Sequence, residues 1–173
     1  METRLDLAPL LSGVGVEIGV GSGCFSRYLL ENSKLSLLFS VDPWSMEYPG
    51  FLSEEHAQAC YNATCSVLAK FSRHSVIVRQ AAELFVEIIN NNSIDFVYID
   101  SSHTYEETFL QMKLWWPKIK SGGILSGHDY SNTPQIQQAV IEFCELHQLV
   151  FETTINDKTR SEFIVNSWFI YKP

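Results

Sequence analysis

Two Asp-His pairs stand out because each follows a short apolar run with the pattern of a buried strand. The first pair is Asp100 and His103, and the second is His128 and Asp129. Because the carboxyl ends of parallel strands meet at one edge of a sheet, these four side chains can converge although they are distant in sequence. A neutral imidazole can remove a hydroxyl proton near pH 7, and carboxylates can hold a divalent cation that acidifies the same hydroxyl. Either chemistry prepares an oxygen nucleophile.

Each member of this set has an expected role. We predict His128 as the base, with Asp100, His103 and Asp129 around the acceptor. If a cation is used, Asp100 and Asp129 are the expected metal ligands. A purely structural interpretation stays open, in which both acids cap the helices that follow them and both histidines bond to backbone groups.

A glycine-rich loop connects an earlier apolar run to a helical pattern. Its sequence is Glu-Ile-Gly-Val-Gly-Ser-Gly, from Glu17 to Gly23. Glycines let the backbone turn tightly and approach a ligand closely, but the G-x-G-x-G spacing departs from the pattern of dinucleotide sites. Asp42 follows the next apolar run, where a carboxylate can accept hydrogen bonds from both ribose hydroxyls of an adenosine. The alternative is a simple tight turn and a solvated strand end.

The elements that must position these residues alternate between short apolar runs and amphipathic segments. The predicted strands are residues 15–18, 36–41, 75–79, 95–99, 123–126, 149–153 and 167–171. The predicted helices are residues 24–32, 54–71, 81–91, 105–116 and 135–147, and residues 120–123 are predicted to form a turn. This order predicts an α/β fold with one doubly wound, mostly parallel, seven-stranded sheet and helices on both faces. Only residues 156–166 separate the last two strands, so these should pair antiparallel.

Length and charge exclude several classes of protein. A chain of 173 residues predicts a single domain over residues 1–173. The net charge of −8 argues against a nucleic-acid partner. No apolar stretch approaches the roughly 18 residues of a membrane span. The four cysteines form no C-x-x-C pair, and no cationic, apolar leader is visible, so we expect no zinc or disulfide scaffold and a cytoplasmic location.

The glycine loop and its following acid resemble motif I of the class I S-adenosylmethionine-dependent methyltransferases, E/D-x-G-x-G-x-G. The resemblance spans nearly the whole chain and implies a Rossmann-like methyltransferase domain with S-adenosylmethionine as cofactor. It places Glu17 near the methionine end, at the cofactor amine, and Asp42 on the ribose. Asp100 is also predicted to bind the cofactor. The remaining cofactor-binding residues that it implies are Gly19, Val20 and Gly21 in the loop, and Ala81, Ala82 and Glu83 beside the adenine.

The Asp-His segments resemble a narrower group of methyltransferases. The patterns Y-I-D-x-x-H-x-Y and G-G-x-x-x-G-H-D-Y are similar to those of bacterial small-molecule enzymes near the macrocin and catechol O-methyltransferase types. This implies methyl transfer to a hydroxyl, with a divalent cation such as Mg²⁺ or Mn²⁺ in some relatives. The chain has His128-Asp129 where the catechol type has Asp-Asn, which weakens the case for an all-oxygen magnesium site. No D-P-P-Y or N-P-P-Y sequence, typical of base amino-methylation, follows the fourth strand.

The sequence thus predicts a methyltransferase acting on a small-molecule hydroxyl. Two alternatives remain: a non-catalytic cofactor-binding protein, and a metal-dependent oxidoreductase or hydroxylase that uses the Asp-His set. An aromatic-rich loop after Asp42 is predicted to act as a lid or simply to pack; it comprises Pro43, Trp44, Met46, Tyr48, Pro49 and Phe51. Few residues precede the first strand, so we expect a pocket that is open or completed by a second copy of the chain in a homo-oligomer.

Overall fold

The computed structural model describes residues 1–48, 50–155 and 165–173, and it contains one seven-stranded sheet. The strands are β1 Ser12–Ile18, β2 Lys34–Val41, β3 Ser75–Val78, β4 Ile94–Ile99, β5 Ile119–Gly127, β6 Phe151–Thr153 and β7 Trp168–Tyr171. Their order across the sheet is β3-β2-β1-β4-β5-β7-β6. The first five strands run parallel, and β7 pairs antiparallel with both β5 and β6. The predicted α/β fold with an antiparallel last strand is confirmed.

Five helices connect these strands. They are α1 Cys24–Asn32, α2 Glu54–Leu68, α3 Ala82–Phe85, α4 Tyr105–Trp115 and α5 Pro134–His147. The strand order reverses between β1 and β4, and in such sheets the carboxyl ends of the strands at the reversal open a crevice. No helix in the described ranges is long and apolar enough to cross a membrane.

Side chains alternate between the two faces of the sheet. In β4, Phe96 and Tyr98 join the cluster that contains Leu29 of α1, whereas Val97 and Ile99 join the cluster that contains Trp115 of α4. Successive residues of a strand point to opposite faces, so a central strand buried on both sides needs apolar residues throughout. This explains the run of large, mostly apolar residues from Phe96 to Ile99 in β4, which ends at Asp100.

Three local predictions need correction. The helix predicted over residues 81–91 is only the four-residue α3, followed by a 3-10 turn at Val86–Ile88. A short helix recovers little of the cost of nucleation, and the β-branched Val86 and Ile88 do not favour its extension. The turn predicted at residues 120–123 lies inside β5. Gly122 adopts a φ of 78° there, and its amide donates to the carbonyl of Lys172. These residues bulge out of register with β4 instead of reversing the chain.

A third correction concerns the amino-terminal segment, for which no element was predicted. Residues Arg4–Leu10 form a 3-10 helix. The Thr3 side chain accepts the amide of Leu5, while the Asp6 carboxylate accepts the amide of Thr3 at 2.9 Å. Leu7 is fully buried in the core that contains α1. A capping box and a buried leucine therefore hold this segment against the body of the protein.

Gly127 closes β5 immediately before His128, and we expect its replacement by alanine to be costly. An added Cβ would lie 2.6 Å from the Trp168 ring and 2.7 Å from the Ile99 carbonyl oxygen, so backbone or ring must shift. Overpacking of this kind should lower the free energy of unfolding by about 2 kcal/mol, measured by urea denaturation. The matched control is Gly15→Ala, whose Cβ meets only flexible leucine side chains at 3.2 Å or more. Equal losses in both variants would contradict the steric explanation.

Candidate functional site

A cleft of about 960 Å³ opens at the carboxyl ends of β1, β2 and β4. Its volume lies at the upper end of the range usual for small-molecule sites. All the predicted cofactor-binding residues line it: Glu17, Gly19, Val20, Gly21, Asp42, Ala81, Ala82, Glu83 and Asp100. Of the predicted catalytic residues, Asp100 and His103 line the same cleft. His128 and Asp129 lie behind them and border a small adjoining cavity of about 10 Å³.

The glycine loop has the conformation that its spacing suggests. Gly19 adopts a φ of 84°, and an added Cβ would overlap the carbonyl of Asp100 at the end of β4. Gly21 adopts a φ of 57°, but nothing lies within 4 Å of the place where its Cβ would be. Gly19 is thus required by packing between β1 and β4. Gly21 leaves open space above the loop, in which a ligand can approach the backbone.

The Asp42 carboxylate connects β2 to this loop. One oxygen accepts the amides of Val20 at 2.9 Å and Gly21 at 3.1 Å, and the other accepts the amide of Trp44 at 2.8 Å. Burial raises the pKa of Asp42, and the three backbone donors oppose that shift. A carboxylate held in this way shapes the loop and still has lone pairs that face the cleft.

Glu17 lies deeper than Asp42, at the base of the cleft, and is only 1% exposed. The hydroxyl of Ser26 donates to its carboxylate, and the hydroxyl of Ser40 donates to Ser26 at 3.1 Å. Burial raises the pKa of Glu17 to about 8, against the opposing effect of the Ser26 hydrogen bond. Burial therefore favours the protonated form of Glu17.

The two predicted Asp-His pairs do converge, and Asp129 is their centre. His103 Nε2 lies 2.7 Å and His128 Nδ1 lies 3.2 Å from the same oxygen, Asp129 Oδ2. His128 Nδ1 also lies 3.9 Å from Asp100 Oδ1. Burial alone would raise the pKa of Asp129, but the hydrogen bonds with the two imidazoles outweigh it and hold this pKa well below its usual range. Asp129 is thus a fixed negative charge between two rings.

The two histidines differ in access to the cleft. The His103 side chain is 58% exposed, whereas that of His128 is 7% exposed. The hydrogen bond with Asp129 raises the pKa of His103, and partial burial opposes this. His128 Nε2 is buried, and none of the described residues provides it with a hydrogen-bond partner. His103, and not His128, therefore presents its imidazole at the cleft wall.

A possible cation position coincides with this cluster. One ligand atom each from Asp100, His103 and Asp129 lie within 4.8 Å of one another. Two of these residues are the predicted metal ligands, and His103 adds a nitrogen donor. A mixed nitrogen and oxygen set suits Mn²⁺ or Fe²⁺ better than Mg²⁺.

Arg4 is a charged residue of the cleft that sequence reasoning did not identify. The 3-10 helix directs its side chain into the cleft, where Nη1 lies 3.3 Å from Asp100 Oδ2. Its guanidinium also lies over the Phe25 ring, 4.8 Å from the ring centre. A signal was present, because Thr3 and Asp6 have the spacing of a capping box. That pattern could have revealed the helix, but the direction of Arg4 depends on tertiary packing.

The aromatic loop after Asp42 divides into two parts. Trp44 is fully buried, and its indole N–H donates to the carbonyl of Gly21 at 2.8 Å. Tyr48 and Phe51 line the cleft, and the Tyr48 hydroxyl donates to Glu83 at 3.2 Å. Pro49 lies outside the described residues. The loop therefore supports the glycine turn with one aromatic ring and forms part of the cleft wall with two others.

Comparison with solved structures identifies proteins of the same fold. Precorrin-6y C5,15-methyltransferase from Geobacter metallireducens superimposes with a TM-score of 0.71 at 18% identity, over 98% of this chain and 85% of that one. A Streptococcus mutans protein described as a methyltransferase, in complex with S-adenosylhomocysteine (SAH), gives 0.69 at 11% identity, over 98% and 95%. A Clostridium thermocellum protein described as an rRNA methylase gives 0.69 at 13% identity, over 98% and 95%. At these identities the likeness shows the fold.

These neighbours include methylases of ribosomal RNA and of precorrins. They therefore do not support the predicted exclusion of nucleic acid, nor do they single out the O-methyltransferase group. No curated protein matches the chain. The model of a methyltransferase domain matches residues 16–130, which include the glycine loop, Asp42 and both Asp-His pairs. The chain therefore belongs to the methyltransferase domain family, with the Rossmann-like fold of the class I enzymes and S-adenosylmethionine as its cofactor.

Proposed function

We propose that this protein transfers the methyl group of S-adenosylmethionine to a hydroxyl oxygen of a small molecule, with His103 as the base. The observation that carries the proposal is the 2.7 Å hydrogen bond between His103 Nε2 and Asp129 Oδ2 at the wall of the cleft. An exposed imidazole oriented by a partly buried carboxylate is the arrangement expected of a general base.

The hydrogen bond determines which ring nitrogen takes the proton. With Asp129 ionised, Nε2 of His103 carries the hydrogen and donates it, so Nδ1 has the free lone pair. The negative charge of Asp129 stabilises the imidazolium that forms when His103 takes a proton. This is why the pKa of His103 is raised. The raised pKa makes His103 a stronger base toward a hydroxyl proton.

The remaining residues of the cleft hold and orient. When bound, the cofactor supplies an electrophilic methyl group that needs only a positioned nucleophile, with SAH and a methyl ether as products. We propose that Asp42 holds the ribose, that Gly19, Val20 and Gly21 form the floor, and that Ala81 and Ala82 border the adenine. These residues line the cleft in the order of the strands that carry them.

His128 was predicted as the base, and the proposal gives it another role. Its ring is almost fully buried and does not border the main cleft, but its Nδ1 lies 3.2 Å from Asp129. From this position it can hold Asp129 in place, as a second donor to the carboxylate that orients His103. Assignment of the base to His103 or to His128 predicts a different effect of each histidine variant on the pH profile of the reaction.

The acceptor class follows from charge. Apart from Glu17, whose protonated form is favoured by burial, the described residues that line the cleft include four acids, against the permanent positive charge of Arg4: Asp42, Glu83, Asp100 and Glu107. With a net charge of −8 for the whole chain, a phosphate backbone would be repelled. A small uncharged or cationic hydroxyl compound suits the cleft better than RNA.

Methyl transfer to a panel of small hydroxyl compounds, with ribosomal RNA alongside, tests the proposal. We expect a small-molecule product, and His103→Gln should lower kcat by about a hundredfold or more because general-base catalysis is lost. SAH affinity, measured by calorimetry, should stay the same. His74→Gln, a change of an exposed histidine away from the cleft, is the matched control. Transfer to RNA alone, or an unaffected kcat in His103→Gln, would refute the proposal.

The pH profile of kcat/KM distinguishes the two histidines. Protonation of the base inactivates it, so activity should fall as the pH drops through the pKa of His103, which is raised above the usual 6.5. His103→Gln should remove this acidic limb from the residual activity, while His128→Gln should keep it. Loss of the limb in His128→Gln alone would instead assign the base to His128.

Chelation tests the cation. We expect dialysis against EDTA to leave kcat unchanged relative to mock dialysis, because Asp129 Oδ2 is already shared by His103 and His128. A loss of activity that Mn²⁺ or Mg²⁺ restores would contradict this expectation. It would then identify Asp100, His103 and Asp129 as ligands of a catalytic metal.

A further inference from the structure

The cleft contains an ion pair between groups from distant parts of the chain. Arg4 comes from the amino-terminal 3-10 helix and Asp100 from the end of β4, and Nη1 lies 3.3 Å from Oδ2. The two side chains are 19% and 26% exposed. At 3.3 Å the pair is longer than a strong charge-assisted hydrogen bond, and both side chains keep some contact with water, so its strength is modest. Another pair of charges can therefore replace it at little cost.

The position of this pair in the cleft is set by strand order. Asp42 ends β2, the glycine loop follows β1, and Asp100 ends β4, and these strands are adjacent in the order β2-β1-β4. Gly19 touches the backbone of Asp100, since an added Cβ would overlap its carbonyl. A ligand whose ribose lies at Asp42 and which crosses the glycine loop must therefore end beside Asp100 and Arg4.

The charges at that end match an amino acid. The methionine part of the cofactor carries an ammonium and a carboxylate on the same carbon, and Asp100 and Arg4 offer one opposite charge to each. A guanidinium presents a planar fork of N–H donors that binds a carboxylate with two hydrogen bonds. We infer that Arg4 binds the cofactor carboxylate, and that the ion pair between Arg4 and Asp100 opens to receive the amino-acid group.

The change of partner from Asp100 to the cofactor carboxylate needs only the Arg4 side chain to move, because the backbone that carries it is held in place. The 3-10 helix is held by its cap at Thr3 and by the buried Leu7 and Ala8. The guanidinium lies 4.8 Å from the centre of the Phe25 ring, at the start of α1, so a cation–π contact keeps it at the cleft wall. Both charges have an opposite partner with or without ligand. This role concerns the cofactor alone and does not depend on the acceptor proposed above.

Three ligands that differ only in the amino-acid part test the inference. They are SAH, its decarboxylated analogue 5′-(3-aminopropyl)thioadenosine, and 5′-methylthioadenosine, which lacks both charges. In Arg4→Gln, calorimetry should show SAH binding weakened about tenfold or more, as expected for loss of a charge-assisted hydrogen bond. The amine analogue should bind as well or more tightly, because Arg4 no longer competes for Asp100. The affinity for 5′-methylthioadenosine should not change.

Arg27→Gln is the matched control, since Arg27 is a half-exposed arginine of α1 outside the cleft lining. It removes the same charge and should leave all three affinities unchanged. Arg4→Lys, which keeps the charge but not the fork, should recover part of the SAH affinity. If Arg4→Gln weakens all three ligands equally, Arg4 only supports the fold of the site, and the inference is wrong. It is equally wrong if SAH binding does not change. Neither result bears on methyl transfer, since no acceptor is present.

Discussion

The carboxylate of Asp42 determines the shape of the cleft through its hydrogen bonds with backbone amides. It accepts N–H groups from Val20 and Gly21 on one side and from Trp44 on the other. Those bonds join the end of β2 to the loop after β1, and Trp44 completes the link by donating to the Gly21 carbonyl. The left-handed turn of the glycine loop, and with it the open space above Gly21, depends on this one side chain.

A second carboxylate has a similar place in the chemistry. Asp129 follows β5 with a φ of 59°, which turns its side chain back toward β4 and between His103 and His128. A negative charge that is partly withdrawn from water is costly unless it is hydrogen-bonded, and the two imidazoles meet that requirement for Asp129. The same two bonds orient the rings. The stability of the Asp129 charge and the alignment of His103 at the cleft wall therefore have a common cause.

The cleft is completed by a segment too short to be recognised as part of the fold. The 3-10 helix Arg4–Leu10 buries Leu7 and Ala8 and brings Arg4 opposite Asp100. Asp100 is thus placed between two cationic or potentially cationic groups, Arg4 on one side and the imidazoles on the other. The amino-acid end of the cofactor and the proton-accepting side chain therefore meet at one residue, at the end of the central strand β4.

The sequence alone was sufficient to predict the seven-stranded sheet, the mostly parallel direction of its strands and the methyltransferase family. Unbroken apolar runs indicate strands buried on both faces, and the glycine spacing with Glu17 and Asp42 resembles a known cofactor motif. It also predicted that Asp100, His103, His128 and Asp129 would converge, because parallel strands end at a common edge. The local sequence pattern predicted structure less well where tertiary contacts override it. An example is the bulge at Gly122, whose amide donates to the carbonyl of Lys172, the residue after β7.

Only the tertiary structure decided which side chains reach the cleft. His103 and His128 are equivalent in the sequence, each close to an aspartate after a strand. The burial of the His128 ring depends on how β5 and β7 pack, because Trp168 pairs with Gly127 and borders the same small cavity as His128. Arg4 likewise reaches Asp100 only because its short helix is packed on α1. Burial and direction of a side chain are properties of packing between distant segments, whereas residue type and spacing are local; that is why the sequence specified the set of groups and the fold selected among them.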